Sequence, residues 1–207
     1  MELHKETVEP RTFEILQILM NLPSLKAFYL VGETTLSLQW GHRISEDIDM
    51  FRFSNEELDH DLIYDDLQQY FTDITELGRQ NYYLKLSIEN VKIDLLRYKH
   101  PLIAEPFVTE NIRIVSPKDI AAMKLMAINN REAKKDFYDF YFLLQLFSLN
   151  DIFDFYGQKF GHFDAFQLQK SLCYLQDADV QFQKLEPLST VTWEEAKNEI
   201  KRIAKCI

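Results

Sequence analysis

The chain has 207 residues and a formal net charge of −10, with 46% hydrophobic and 14% aromatic residues. That length suits one sizeable domain or two small ones sharing a cleft, and the apolar content is enough for a packed core, which excludes a disordered chain. The acidity argues against broad adhesion to nucleic acid while leaving room for a local basic cleft. The opening Met1-Glu2-Leu3-His4-Lys5-Glu6 lacks the basic and apolar segments of a secretory leader, and no run approaches the roughly 18 apolar residues of a membrane span. The expected location is therefore cytoplasmic, with no membrane partner. Two cysteines, Cys173 and Cys206, argue against a disulfide framework and against a zinc cluster, and the histidines show no metal-ligand spacing.

In chain order, Arg11 to Leu22 repeats apolar residues at helical intervals until Pro23 stops it. Residues 27–31 read as a strand and 34–40 as a short helix, with a small-residue turn at Gly32 between them. A second strand, Asp47 to Phe53, leads into Ser54-Asn55-Glu56-Glu57, where Ser54 reads as the cap of a helix reaching about Phe71 and Glu57 completes a capping box. Strands follow near 74–78, 82–88, 91–98 and 111–115, with a hairpin turn at Glu89-Asn90. From Ser116 the pattern turns helical: Ser116 caps, Pro117 takes the first position and Asp119 adds favourable charge in the first turn. The aromatic run at 137–144 reads as core, and helices are expected at 164–175 and 193–203, the second capped by Thr192 with Glu195. The fold class is α/β (α+β): a mixed sheet with flanking helices over residues 1–115, then a helical region over 116–207.

Asp47 and Asp49 are two residues apart, so on a strand both carboxylates leave the same face while Ile48 and Met50 take the other. Convergent carboxylates suit Mg²⁺ or Mn²⁺ in phosphoryl and nucleotidyl transfer. A solvated acidic strand end is the other reading. Asp94 interrupts the apolar strand between Ile93 and Leu95, either at an exposed edge or aimed at a partner, since burying a lone carboxylate is costly. Beside Asp47 and Asp49 it completes a set of three able to bridge two metals. On one continuous helix after Pro117, Lys124, Arg131 and Lys135 lie within about 40° of one another, a cationic stripe that suits a triphosphate or forms a solvated face.

The run Leu30-Val31-Gly32-Glu33-Thr34-Thr35-Leu36, followed by Gly41-His42-Arg43-Ile44-Ser45 and Asp47-Ile48-Asp49, resembles the signature of the AbiEii/AbiGii-type nucleotidyltransferase toxins, members of the polymerase-β-like nucleotidyltransferase superfamily. A second block is similar to Ser116-Pro117-Lys118-Asp119, Lys124, Arg131 and Lys135-Asp136-Phe137-Tyr138-Asp139. Together the blocks span roughly residues 25–145; residues 150–207 carry no recognised motif. The resemblance implies a nucleotidyltransferase-type sheet, transfer of a nucleoside monophosphate from an NTP to an acceptor hydroxyl, and a helical region closing the active-site cleft. RNA or protein as acceptor, and a cognate antitoxin, are the partners it implies.

It also implies roles for particular residues. Asp47, Asp49 and Asp94 hold the metals, Gly32 and Thr34 cradle phosphate, Arg43 orients the Asp pair and Lys124 neutralises the leaving pyrophosphate; Lys135, Asp136 and Asp139 come over with the second block. One departure stands out. Where the family has a second glycine this chain has Glu33, whose charge would oppose a triphosphate unless it turns away or meets the helix N-terminus. The alternative that Glu33 raises is a non-catalytic nucleotide-binding or interaction protein on a degenerate nucleotidyltransferase site. An enzyme whose acceptor is a small molecule or a protein side chain is a third possibility, and the net acidity slightly favours such non-RNA acceptors.

Overall fold

The computed structural model describes residues 2–180 and 185–206, so residues 1, 181–184 and 207 of the expected regions lie outside the described residues. The chain divides into two compact units, Met1–Val115 and Ser116–Ile207.

In the first unit, α1 (Pro10–Asn21) starts on a proline at its first turn and ends before Pro23. Then come β1 (Phe28–Val31), α2 (Gly32–Trp40), β2 (Ile48–Arg52), α3 (His60–Leu67), β3 (Ile74–Gln80), β4 (Tyr83–Ile88), β5 (Val91–Arg97), β6 (Phe107–Thr109) and β7 (Ile112–Ile114). The strands form one mixed sheet, as expected, in the order β3-β4-β5-β2-β1-β7-β6; only β6 lacked a sequence signal. β2 runs parallel to β5 and antiparallel to β1. The β4–β5 turn places Glu89 and Asn90 at φ of 51° and 70°, the two left-handed residues that a tight hairpin requires.

Alternation sorts the two faces. Leu30, Ile48, Met50, Leu84, Leu86, Ile93 and Leu95 turn to one side and are buried in a single apolar cluster with Ile15, Leu16 and Leu19 of α1. Asp49, Asp94 and Lys85 fall on the opposite side of β2, β5 and β4. The helix expected from Ser54 begins later. Ser54 donates its N–H back to the Arg52 carbonyl and Leu58 donates to Asn81, which ties this segment to the sheet. The helix starts at His60, where the Asp59 carboxylate accepts from Leu62 N–H at 3.1 Å.

The second unit contains α4 (Pro117–Arg131), α5 (Lys134–Leu143), α6 (Leu149–Phe160), α7 (Ala165–Cys173), α8 (Gln176–Val180) and α9 (Trp193–Ile203). Ser116 and Thr192 cap their helices as the sequence indicates, Asp164 caps α7 and is not itself counted in that helix, and Phe137, Tyr138, Phe140 and Leu143 are fully buried. The single helix carrying Lys124, Arg131 and Lys135 is not found. Glu132 adopts φ 47° and Ala133 is extended, so the chain turns between α4 and α5 and the stripe is broken. The cysteine reading is also corrected. Cys173 and Cys206 form a disulfide, a single cross-link that ties the end of α7 to the residues after α9. Among the described residues, no helix is long and apolar enough to cross a membrane.

A fully buried ionic contact joins two helices of this unit. Lys159 of α6 meets Asp119 of α4 at 2.6 Å with both side chains fully buried. Isolating one member of such a pair is more costly than replacing both. Lys159→Met should therefore lower unfolding free energy by about 3–5 kcal/mol in urea titrations, and Asp119→Leu/Lys159→Met should recover most of that loss. A single variant as stable as wild type would show that the contact carries no net stability.

Candidate active site

β1 delivers the chain to Gly32, which has φ +73°, a conformation costly for any residue with a side chain. A Cβ added there would also run into the Asp49 carboxylate. Glycine is thus required twice: it makes the strand-to-helix turn, and it lets a carboxylate of β2 lie against the first turn of α2. The N-terminal end of a helix favours an anion.

Asp49 is register partner to Asp94 on the adjacent parallel strand β5, and Asp94 in turn faces Lys85 on β4. Asp47, Asp49 and Asp94 line one cavity of about 220 Å³ together with Leu77, Lys85 and Lys92. The three carboxylates named from sequence are thus brought to one place in the first unit. Lys85 and Lys92 were not foreseen. Their alternation with Leu84, Leu86 and Ile93 marks them as outward-facing, but only the strand register shows which acids they meet.

The Lys85 ammonium sits 3.0 Å from Asp94, with about half of the lysine side chain exposed. The hydrogen bond it donates to Asp94, then the charge of Asp94, and more weakly the charge of Asp49, hold this ammonium above its ordinary range. Hard oxygen donors of this kind suit a divalent cation. Among the described residues, however, no group of three or more His, Cys, Asp or Glu is arranged to hold a metal ion. Asp94 is engaged by Lys85, so a third ligand is gained only by exchanging that contact.

The surrounding loop is fixed by buried polar contacts. Thr34, fully buried, donates its hydroxyl to the Asp47 carbonyl and shares a 2.7 Å hydrogen bond with Ser45. This corrects its expected role: the side chain holds the start of β2 instead of facing phosphate. Glu33, the departure from the family pattern, is buried and pairs with Arg43 at 3.1 Å, and Arg43 also donates to the Ile44 carbonyl at 2.9 Å. Arg43 therefore neutralises Glu33 and ties the first turn of α2 to the loop before the Asp pair. The expected charge repulsion has its compensating cation.

In the second unit, Lys124 of α4 contacts Asp136 at 2.8 Å and Asp139 at 2.7 Å, both on α5, and all three side chains are buried. Arg131 adds a bidentate contact to Asp136. Lys124 was expected to neutralise a departing pyrophosphate; its ammonium instead holds two carboxylates. Lys135 lies half-buried on the first turn of α5.

With this geometry, the matches to known proteins can be read. Residues 14–203 match the family described as nucleotidyl transferase AbiEii toxin, type IV TA system. The chain belongs to this family. AbiEii membership makes it a nucleotidyltransferase of the toxin–antitoxin class. The uncharacterized protein aq_aa25 of Aquifex aeolicus is 32% identical over 197 residues, 93% of each chain. Among solved structures, JHP933 of Helicobacter pylori is similar with a TM-score of 0.62 at 20% identity, covering 98% of this chain and 89% of its own. MenT4, a nucleotidyltransferase toxin of Mycobacterium tuberculosis, gives 0.54 at 12% identity, covering 94% and 82%. At those identities the two structures attest the AbiEii chain's fold.

Two tests follow from the buried contacts. Arg43→Met and Glu33→Gly each leave one charge of a desolvated pair behind, and either should cost about 3–5 kcal/mol in urea unfolding. A Glu33→Gly protein as stable as wild type, with severalfold tighter NTP binding by calorimetry, would return Glu33 to a repulsive role.

Asp136 supplies a pH test. Burial alone would raise its carboxyl, but Lys124 and then Arg131 outweigh burial and hold it below the ordinary range. A carboxyl depressed on folding gives stability that is fully present above its unfolded value, near pH 4, and is lost as pH falls through the lower folded value. Lys124→Met removes the depression, so its acid-unfolding midpoint should move to higher pH by circular dichroism. An unchanged midpoint would show that Lys124 does not sustain the ionised pair.

Proposed function

We propose that this chain transfers a nucleoside monophosphate from an NTP to an acceptor hydroxyl, releasing pyrophosphate, with Asp47, Asp49 and Asp94 as the carboxylates of the reaction. The observation that carries the reading is the pairing of Asp49 with Asp94 across adjacent parallel strands, with Asp47 on the same cavity and Gly32 admitting Asp49 to the start of α2. The donor set fits Mg²⁺ or Mn²⁺ held by Asp47 and Asp49, with Asp94 as the third ligand once Lys85 is exchanged. Such a cation supplies charge neutralisation at the phosphates and a more acidic acceptor hydroxyl.

The chain's own groups do the positioning. Gly32 keeps side-chain bulk out of the phosphate turn, so the start of α2, where Asp49 already lies, can be approached closely. Thr34 and Ser45 fix the carbonyl of Asp47, and the Glu33–Arg43 pair fixes the approach to β2. Lys124, Asp136 and Asp139 serve as positioning residues that brace α4 against α5, and Lys135 is retained as an NTP contact from the family block. The degenerate-site alternative rested on an uncompensated Glu33, and the Arg43 contact removes that reason. A cytoplasmic location follows from the nucleotide substrate, and family membership points to a cognate antitoxin.

Incubating the pure protein with each labelled NTP, Mg²⁺, total RNA and cell extract should place label on an acceptor, and EDTA should abolish it. Asp47→Asn and Asp49→Asn should each reduce transfer by a factor of 100 or more, about 3 kcal/mol of transition-state stabilisation. Their unfolding midpoints should stay near wild type. Undiminished labelling by Asp49→Asn, or in EDTA, would overturn the mechanism.

A further inference from the structure

We propose that Lys85 is a built-in competitor for the metal site: its ammonium holds Asp94 and must be displaced before that carboxylate can serve as a ligand. The inference rests on the metal reading above. Across the sheet, β1, β2, β5 and β4 follow one another at about 4.8 Å, so the Gly32 turn, Asp49, Asp94 and Lys85 form a row. Lys85 stands at the end of the row farthest from the Gly32 turn.

An amino group 3.0 Å from a carboxylate oxygen occupies the coordination position that a cation would need. It also adds a positive charge next to a divalent ion. Both effects weaken metal binding, most of all at Asp94, which the ammonium contacts directly, and less at Asp49, whose charge it feels from farther off. Lys85 is mobile enough to yield, because its side chain is about half exposed and its contact is a solvated ion pair of small net strength. Its removal would take one of the two lysines from a cavity lined by three carboxylates and leave Lys92, so a metal ion would meet less competing positive charge there.

The test uses the full chain and Mn²⁺ alone, followed by electron paramagnetic resonance, with melting temperatures recorded alongside. Lys85→Met should bind Mn²⁺ roughly fivefold to tenfold more tightly than wild type. Its melting temperature should fall in EDTA and rise with Mn²⁺ by more than that of wild type. Lys85→Arg, which keeps the cation, should behave as wild type, and Asp94→Asn placed on Lys85→Met should erase the gain. Equal Mn²⁺ affinity in wild type and Lys85→Met, with Asp49→Asn abolishing binding in both, would overturn the competition while sparing the metal site. If Asp49→Asn does not alter Mn²⁺ binding, the metal reading and this inference fall together.

Discussion

Like charges resist being gathered, and the sheet overrides that resistance by register. Backbone pairing of β2 with β5 sets Asp49 opposite Asp94, and reversing it by one residue would send Ile48, Met50, Ile93 and Leu95 out of the core. The apolar face therefore fixes the position of the acidic face. Two devices make the arrangement tolerable: a glycine that lets Asp49 meet a helix N-terminus, and Lys85 against Asp94. Each offers partial positive charge that a bound cation would replace or supplement.

Elsewhere the chain handles its excess acid by committing cations to it. Arg43 serves Glu33, Lys124 serves Asp136 and Asp139, and Lys159 serves Asp119, all in buried positions. Buried pairs of this kind add little net stability against apolar replacements, but breaking one is costly, so they specify one arrangement over its neighbours. Here they join α2 to the loop before β2, α4 to α5, and α4 to α6. The Asp pair is thus supported by a loop held at both ends: Thr34 on the Asp47 carbonyl and Arg43 on Glu33.

What the sequence revealed of this site was local, and what it concealed was pairing. Asp47 and Asp49 are legible because strand alternation is a one-dimensional rule, and Asp94 because a carboxylate between Ile93 and Leu95 needs a reason. Glu33 was visible but misread, because its partner Arg43 is ten residues away and nothing local links them. The cationic stripe failed for a backbone reason: Glu132 takes a left-handed conformation that glycine or asparagine would have announced and glutamate does not. Ser54 failed as a cap because a turn back to Arg52 claimed its N–H, and the hydrogen bond from Leu58 to Asn81 joins segments that are not neighbours in sequence. Lys85 could be placed on a face but not opposite Asp94, since register belongs to the whole sheet.

The disulfide bears on where the protein works. A cross-link closing 33 residues would destabilise the unfolded chain by about 3–4 kcal/mol in the chain-entropy account. Nucleoside triphosphates are kept in the cytoplasm, where glutathione holds most thiols reduced. A cytoplasmic transferase would then have to hold α9 without that contribution, and the non-covalent contacts are of the right kind. Tyr138 donates to the Val191 carbonyl at 2.7 Å just before the helix, and Thr192 and Glu195 cap it reciprocally. Trp193 packs against Phe137 while its ring N–H reaches Asp179, and Lys197 meets the same carboxylate. These contacts all gather at the N-terminal half of α9, whereas Cys206 lies beyond its other end. That end has a hold of its own, the Gln169 side chain of α7 donating to the Ala204 carbonyl at 2.7 Å beside the buried Ile200 and Ala204, so α9 would stay tied at both ends with the disulfide open.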